Sequence, residues 1–307
     1  MSSNLPTVSV IIPARNAREQ LPRALDSVFA QTYSNIIDVV VADADDSAAG
    51  LANPKVVVLP NPAGTTPAGL NLAIAASTGE VVVRCDAQSS LPEDYVEKAV
   101  DVLENTGAAN VGGMQVPIGE TAWERAIAAA MSSPWGAGDA RYRIGGAAGA
   151  AETVYLGVFR RDALEEVGGF DEDFTRTQDY ELNHRLIRNG GVVWFDPALR
   201  VTYRPRPSLR PLAQQYLEYG RAKRRFSGKH RGFLRWRQMA APILVVVLGS
   251  SLVFSLWWPM ALIVPGMYAL GLIGAGISSA ESSWRVATAL ATMHLSWGWG
   301  FLTDVSR

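Results

Sequence analysis

The sequence predicts an α/β fold on a mostly parallel, Rossmann-like sheet, followed by a C-terminal transmembrane helical region. Three observations predict it. Short β-branched runs alternate with helical patterns through the first part of the 307 residues. Those runs are nearly continuous in apolar residues, as in strands buried on both faces of a parallel sheet. The last section then changes solvent: Pro242–Trp258 and Pro259–Ser278 carry no charged residue.

Val8–Ile12, Ile37–Ala42, Val56–Leu59 and Val81–Cys85 read as strands. Ala17–Thr32 places Leu21, Leu25, Val28 and Phe29 at helical spacing. Thr66-Pro67 is a helix start, with the hydroxyl as N-cap and proline at the first helical position. Pro92-Glu93-Asp94 starts another. Residues 131–152, rich in Gly and Ala and carrying Trp135, Arg141 and Arg143, read as a mobile loop. Val154–Phe159 resumes a strand, and Gln178–Asn189 is a helix stopped by Gly190-Gly191. Tyr203-Arg-Pro-Arg-Pro leads into a helix around Leu209–Phe226. Such strand–helix alternation implies a doubly wound sheet.

The two uncharged runs together exceed one bilayer crossing of ~20 residues. Pro259, after Trp257-Trp258, suits a tight turn at the interface, so the runs read as a transmembrane hairpin. A third apolar segment, Val286–Leu302, contains His294. The expected division is a cytosolic domain over 1–235 and a membrane region of two or three helices over 236–307. From Arg221 to Arg237 the chain holds no acid. The positive-inside rule keeps that run cytoplasmic, which makes the expected location the cell (inner) membrane, multi-pass, with the α/β domain on the cytoplasmic side. The plainer alternative is a buried helical pair in a soluble protein.

A net charge of −1 says little about partners, and no nucleic-acid partner is expected. A single cysteine, Cys85, excludes an intrachain disulfide and a Cys-based zinc site and fits a reducing compartment. The start, Met1-Ser-Ser-Asn-Leu-Pro-Thr, lacks a basic n-region and does not read as a signal peptide.

Open α/β sheets bind ligands outside the carboxyl ends of their strands. Asp86 stands at such an end and is placed to hold a metal ion on a diphosphate. Asp43 and Asp45 follow the second strand, where acids also serve as ordinary turn residues. Arg84 shares a strand face with Asp86 and could reach a phosphate or pair with that carboxylate. Asp179 and Glu181 lie in the first turn of a helix, which the helix dipole favours. Asp179 is also placed to act as a general base. No Gly-x-Gly-x-x-Gly follows the first strand and no Gly-x-x-x-x-Gly-Lys-Ser/Thr occurs, so dinucleotide and P-loop readings lose their support. His184 and His230 read as surface histidines, and His294 as a polar group bonding a neighbouring helix.

Taken together, these residues resemble a family. Val8-Ser-Val-Ile-Ile-Pro-Ala-Arg-Asn, Leu25-Asp-Ser-Val-Phe-Ala-Gln-Thr-Tyr and the Asp43 turn resemble the opening of the inverting family 2 glycosyltransferases. Gly79 through Asp86 to Leu91-Pro92 resembles their Asp-x-Asp region, and Phe159 through Asp171 with Gln178-Asp179 resembles their acceptor-side and base motifs. Arg84-Cys-Asp86-Ala, Glu152-Thr-Val-Tyr-Leu-Gly and Met293-His294-Leu-Ser-Trp-Gly-Trp-Gly-Phe resemble the membrane-attached subgroup of succinoglycan-type exopolysaccharide glucosyltransferases.

The resemblance implies a GT-A fold, a nucleotide-diphosphate sugar donor (a UDP- or GDP-hexose) and Mg²⁺ or Mn²⁺. Pro13, Ala14 and Asn16 would line the nucleotide pocket, Asp43 would face the base, and Arg84 and Asp86 would meet the donor. Asp86 and Gln88 would hold the metal, and Asp179 would deprotonate the acceptor hydroxyl. Arg221, Lys223, Arg224 and Arg225 fall near a basic helix of related enzymes. Gln88 replaces the second acid of Asp-x-Asp and Gln178 the acid that often precedes the base. The expected activity is hexose transfer to a lipid-linked or polysaccharide-precursor acceptor at the cytoplasmic leaflet. Its alternatives are a polyprenyl-phosphate hexosyl synthase and a degenerate, non-catalytic sugar-nucleotide-binding protein.

Overall fold

The apolar runs become strands because each finds neighbours for both faces. A computed structural model describes residues 5–51, 53–230 and 236–304, and by packing the chain forms two units. The first, residues 1–116 and 140–203, contains β1 (Val8–Ala14), α1 (Leu21–Phe29), β2 (Ile36–Asp43), β3 (Val56–Pro60), α2 (Thr66–Ala76), β4 (Val81–Arg84), β5 (Ser89–Ser90), α3 (Tyr95–Thr106) and most of β6 (Asn110–Pro117). After the excursion into the second unit, through α4 (Ala122–Met131) and α5 (Pro134–Ala137), it resumes with α6 (Arg141–Ile144), β7 (Gly149–Ala150), β8 (Tyr155–Arg160), α7 (Arg161–Glu166), α8 (Gln178–Arg188) and β9 (Val193–Tyr203).

The strands form one sheet in the order β3-β2-β1-β4-β8-β6-β9-β5, with β7 on β9. It is mixed. β1, β2, β3 and β4 pair in parallel, as the buried apolar runs predict. β8 returns antiparallel to β4 and to β6, since no right-handed helical crossover joins it to a parallel neighbour. Val8, Val10 and Ile12 face α1 and α3 in one core layer; Ile11, Val40 and Val82 face α2 in the other. β3 is an edge strand, so Val57 and Val58 remain exposed despite the apolar run.

Local chemistry moves several boundaries. The α2 cap is Thr65, one residue before the expected Thr66, with Pro67 in the first turn. Residues 131–152 are not a plain loop: α5, α6 and β7 lie within them. Ser133 Oγ accepts the Gly136 N–H at 3.2 Å and Pro134 supplies the first turn, which explains the α5 nucleus. His184 is buried in α8, not on the surface, because α8 turns its Leu182–Leu186 side to the sheet.

The second unit comprises residues 117–139 and 204–307. Besides α4 and α5 it holds α9 (Leu209–Lys229), α10 (Ala240–Phe254), α11 (Ile263–Ile277) and α12 (Ser283–Thr303). α12 lies along α9 closely enough that a Cβ at Gly220 would strike the Trp297 carbonyl, and one at Gly300 the Leu217 carbonyl. Thr121 and Glu124 form a reciprocal capping box at the start of α4. His294 bonds two neighbours, the Trp135 carbonyl at 2.8 Å and the Tyr268 hydroxyl at 3.1 Å.

Among the described residues one helical stretch, Pro259–Ile277, is long and apolar enough to cross a membrane. The preceding α10 is apolar but has only 15 residues, about 22 Å at 1.5 Å per residue. Neither is a core helix of this chain: Phe254 of α10 is 63 % and Leu270 is 69 % exposed. The expected basic run Arg221–Arg237 lies partly outside the described residues, at 231–235.

Candidate active site

Parallel register sets the site. Ala14 pairs with Asp43 across β1 and β2, and Ile11 with Arg84 across β1 and β4. The carboxyl ends of three adjacent strands therefore present Pro13, Ala14, Asn16, Asp43, Arg84 and Asp86 along one edge.

On the β1–β2 side the acids build the loop. Asp43 Oδ1 accepts the Ser47 N–H at 3.0 Å and Oδ2 the Ala48 N–H at 2.7 Å, so its carboxylate organises the turn after β2. Asp45 Oδ2 accepts the Asn16 N–H at 2.6 Å, tying the β1 loop to the β2 loop. Bonds from the Ser47 hydroxyl and the Asn16 N–H hold the Asp45 carboxyl below its usual range. Asn16 itself sits at φ 51°, a left-handed conformation that asparagine tolerates.

On the β4 side Arg84 dominates. Its guanidinium is only 3 % exposed and spans two carboxylates. Nε donates to Asp86 Oδ1 at 2.8 Å, and Nη1 donates to Asp179 Oδ1. The face of Phe170 lies 6.0 Å from its central carbon. Burial opposes the guanidinium charge, but Asp179 and then Asp86 hold the proton on, and the net shift is upward. Burial pushes the Asp179 carboxyl up; Arg84 draws it back and Asp86 adds to the rise. Its side chain is still 32 % exposed, so solvent reaches the base. Asp86 is 16 % exposed. Its Oδ2 has no hydrogen-bond partner among the described residues. Gln88 is exposed in the turn that the Ser89 N–H closes on the Asp86 carbonyl.

Asp179 is presented by a strained joint. Thr177, the residue before α8, has φ 60°, which costs a β-branched residue of order 1–3 kcal/mol. Glu181, named beside Asp179 from the sequence, instead pairs with Arg185, whose guanidinium also bonds the Val167 and Gly169 carbonyls. It braces the loop that carries Phe170. The structure thus joins Arg84, Asp86 and Asp179 directly, and places Asp43 and Asn16 on the neighbouring strand ends.

Residues 9–168 match Glycosyl transferase family 2. The chain belongs to that family. This glycosyltransferase is 30 % identical over 313 residues to the succinoglycan biosynthesis protein ExoA of Rhizobium meliloti (strain 1021), covering 96 % of this chain and 94 % of the relative. It is 22 % identical to a Methanococcus voltae dolichyl N-acetyl-alpha-D-glucosaminyl phosphate 3-beta-D-2,3-diacetamido-2,3-dideoxy-beta-D-glucuronosyltransferase, over 70 % of this chain and 72 % of that one. Among solved structures, the mannosyltransferase PcManGT of Pyrobaculum calidifontis, in complex with GDP-Man and Mn²⁺, superposes with a TM-score of 0.69 at 18 % identity, covering 99 % of this chain and 89 % of that chain. The glycosyltransferase therefore has the GT-A fold. The family match ends before Asp179, which meets the site through its contact with Arg84.

Sequence reasoning missed Phe170 and Thr177. Phe170 stands in a quoted motif, but only the fold brings its ring beside Arg84. The left-handed backbone of Thr177 leaves no trace in composition.

Proposed function

We propose that this family 2 glycosyltransferase moves a hexose from a nucleotide-diphosphate sugar, with inversion, to a lipid-linked or polysaccharide-precursor acceptor at the cytoplasmic leaflet of the cell membrane. The observation that carries it is Arg84 holding Asp86 and Asp179 on one guanidinium, so that a donor-side and an acceptor-side carboxylate flank a single point. Pro13, Ala14, Asn16 and Asp43 line the nucleotide, and Arg84 and Asp86 face the diphosphate.

A hard divalent cation fits this donor set. Mg²⁺ and Mn²⁺ favour oxygen ligands, and Mg²⁺ usually takes one or two carboxylates plus substrate phosphates and water. Asp86 Oδ2 is open, and Gln88 adds an amide oxygen without charge. No group of three His, Cys, Asp or Glu lies together among the described residues, so the protein alone would hold the ion weakly. When bound, the ion neutralises charge on the leaving diphosphate. The Mn²⁺ in the PcManGT complex supports the reading.

Asp179 takes the proton from the acceptor hydroxyl. The freed oxygen forms its bond to the anomeric carbon from the face opposite the diphosphate, and the bond from that carbon to the diphosphate oxygen breaks, so the nucleoside diphosphate leaves with the electron pair. Arg84 fixes the Asp179 carboxylate so that its exposed oxygen meets the hydroxyl. The dolichyl-phosphate-linked substrate in the Methanococcus relative's name supports a lipid acceptor, as does the exposed apolar stretch Pro259–Ile277. The basic residues of α9 support cytoplasmic placement of the α/β unit, and the two uncharged runs Pro242–Trp258 and Pro259–Ser278 support a multi-pass arrangement.

Calorimetry in detergent with UDP, GDP and their hexose conjugates, with and without Mn²⁺, tests this. One nucleotide should bind in a metal-dependent way, and Asp86→Ala should lose the metal dependence. Absence of binding to every nucleotide would end the reading.

A further inference from the structure

A polar cluster beside Asp86 has no part in the transfer derived above. Tyr155 opens β8, and its phenol lies 3.3 Å from Ser89 Oγ. Gly113 of β6 pairs with Tyr155, so Gln115, two residues on, lies on the same face of β6 as Gly113, close to that phenol. Burial pushes the Tyr155 pKa up and the nearby Asp86 charge adds to it, while Ser89 and Gln115 pull the other way; the phenol stays a neutral hydroxyl.

Gln115 is only 7 % exposed, and its Oε1 is buried with no partner among the described residues. A buried amide oxygen left unpaired is a standing cost that native structures rarely carry without a use. The neighbouring backbone is held out of its preferred region as well: Leu156 has φ 44°, and its carbonyl accepts the Tyr95 hydroxyl at 3.2 Å. Asn110, at the far end of β6, also has an unpartnered oxygen, but its amide already pairs with Asn183. Gln115 instead neighbours the Tyr155 phenol, which feels the Asp86 charge.

We propose that Gln115 and Tyr155 form a subsite for a sugar hydroxyl, the hydroxyl donating to Gln115 Oε1 and accepting from the Tyr155 phenol. The chemistry of the orphan selects the ligand. An oxygen acceptor needs a donor, and a hydroxyl supplies one donor and two lone pairs. An ionised phosphate supplies none. The hydroxyl belongs either to the donor hexose or to the acceptor sugar, and the inference rests on the transfer reading above.

Gln115→Met keeps the volume and removes the amide; Tyr155→Phe, nearly isosteric, serves if the first variant fails to fold. Calorimetry with UDP, GDP, UDP-glucose and GDP-mannose should show unchanged nucleotide affinity in the variant and about tenfold weaker binding of the preferred conjugate, the size of one lost hydrogen bond. That result assigns a donor hydroxyl. An unchanged conjugate-to-nucleotide ratio with an acceptor KM raised about tenfold assigns an acceptor hydroxyl. If neither quantity moves in either variant, the subsite is overturned and the orphan oxygen is met by water. If the unaltered protein binds no nucleotide, the transfer reading fails and this inference falls with it.

Discussion

In the sheet unit Val8, Val10, Ile11 and Ile12 are sealed from solvent, and the buried charge of Arg84 is answered by two acids. In the helical unit Leu256, Met267, Leu270 and Ile277 stand in the open, while glycines draw α9 and α12 together. The same hydrophobic residue types thus end on opposite sides of the surface. Water is the solvent that closes the first unit, and its core needs nothing further. The second buries Ile127, Leu212, Phe226, Leu290, Met293 and Phe301 but leaves the apolar side chains of α10 and α11 largely bare, a patch of the kind that lipid or protein covers. On the proposed reading, transfer belongs to the sealed unit and attachment to the bare helices.

Removing the base sharpens the contrast most. Asp179→Asn should lower kcat by about 10²–10⁴-fold, the usual worth of a general base, while donor affinity stays close to that of the unaltered protein and the melting temperature falls because buried Arg84 loses one of its two counter-charges. A variant with full kcat would place catalysis elsewhere. Next in size is the apolar surface. A charge at a helix centre costs ~2.5–3.5 kcal/mol on insertion scales, so Leu270→Lys should shift the protein from the membrane fraction toward the soluble one in vesicle flotation without changing nucleotide binding. Unaltered flotation would mean α11 is not the anchor.

The smallest effect lies at Glu124, the buried acid of the helical unit. The Thr121 N–H bond, the Arg204 pairing and the Glu120 N–H bond hold its carboxyl at about 2, below its ordinary 4.5, against the opposing push of burial. A depressed folded-state value means stability that is fully present above pH 4.5 and lost as pH falls through about 2. Glu124→Gln should lower the melting temperature near neutrality and flatten its fall across that window. Identical melting curves for the two proteins from neutrality down to acid would show that the Glu124 charge, in the capping box and in its Arg204 pair, adds nothing.

Strand ends were legible because apolar runs stop on polar residues there; Asp43 and Asp86 needed no further signal. Asp179 was legible as an acid in a first helical turn, though not its grip by Arg84, which needs β4 and α8 side by side. The pairing of Tyr155 with Gln115 was hidden for another reason. Tyr155 lies in a run that reads as ordinary strand, Gln115 in a stretch where no strand was expected, and only the antiparallel return of β8 between β4 and β6 brings the two together. That return was itself invisible, since the run Val154–Phe159 is as apolar as the parallel strands: β8 is buried on both faces although its neighbours run antiparallel.

The helical unit is discontinuous in the chain, because residues 117–139 join it from between β6 and α6. Ribosomes deliver α4 and α5 long before α9, α10, α11 and α12 exist. The first two helices must therefore wait, with Trp123 lacking the Trp284 edge it meets in the finished fold and the Trp135 carbonyl lacking His294. Any nascent chain halted before α12 carries an unfinished segment in mid-sequence, which makes that segment a natural point of inspection for chaperones and proteases.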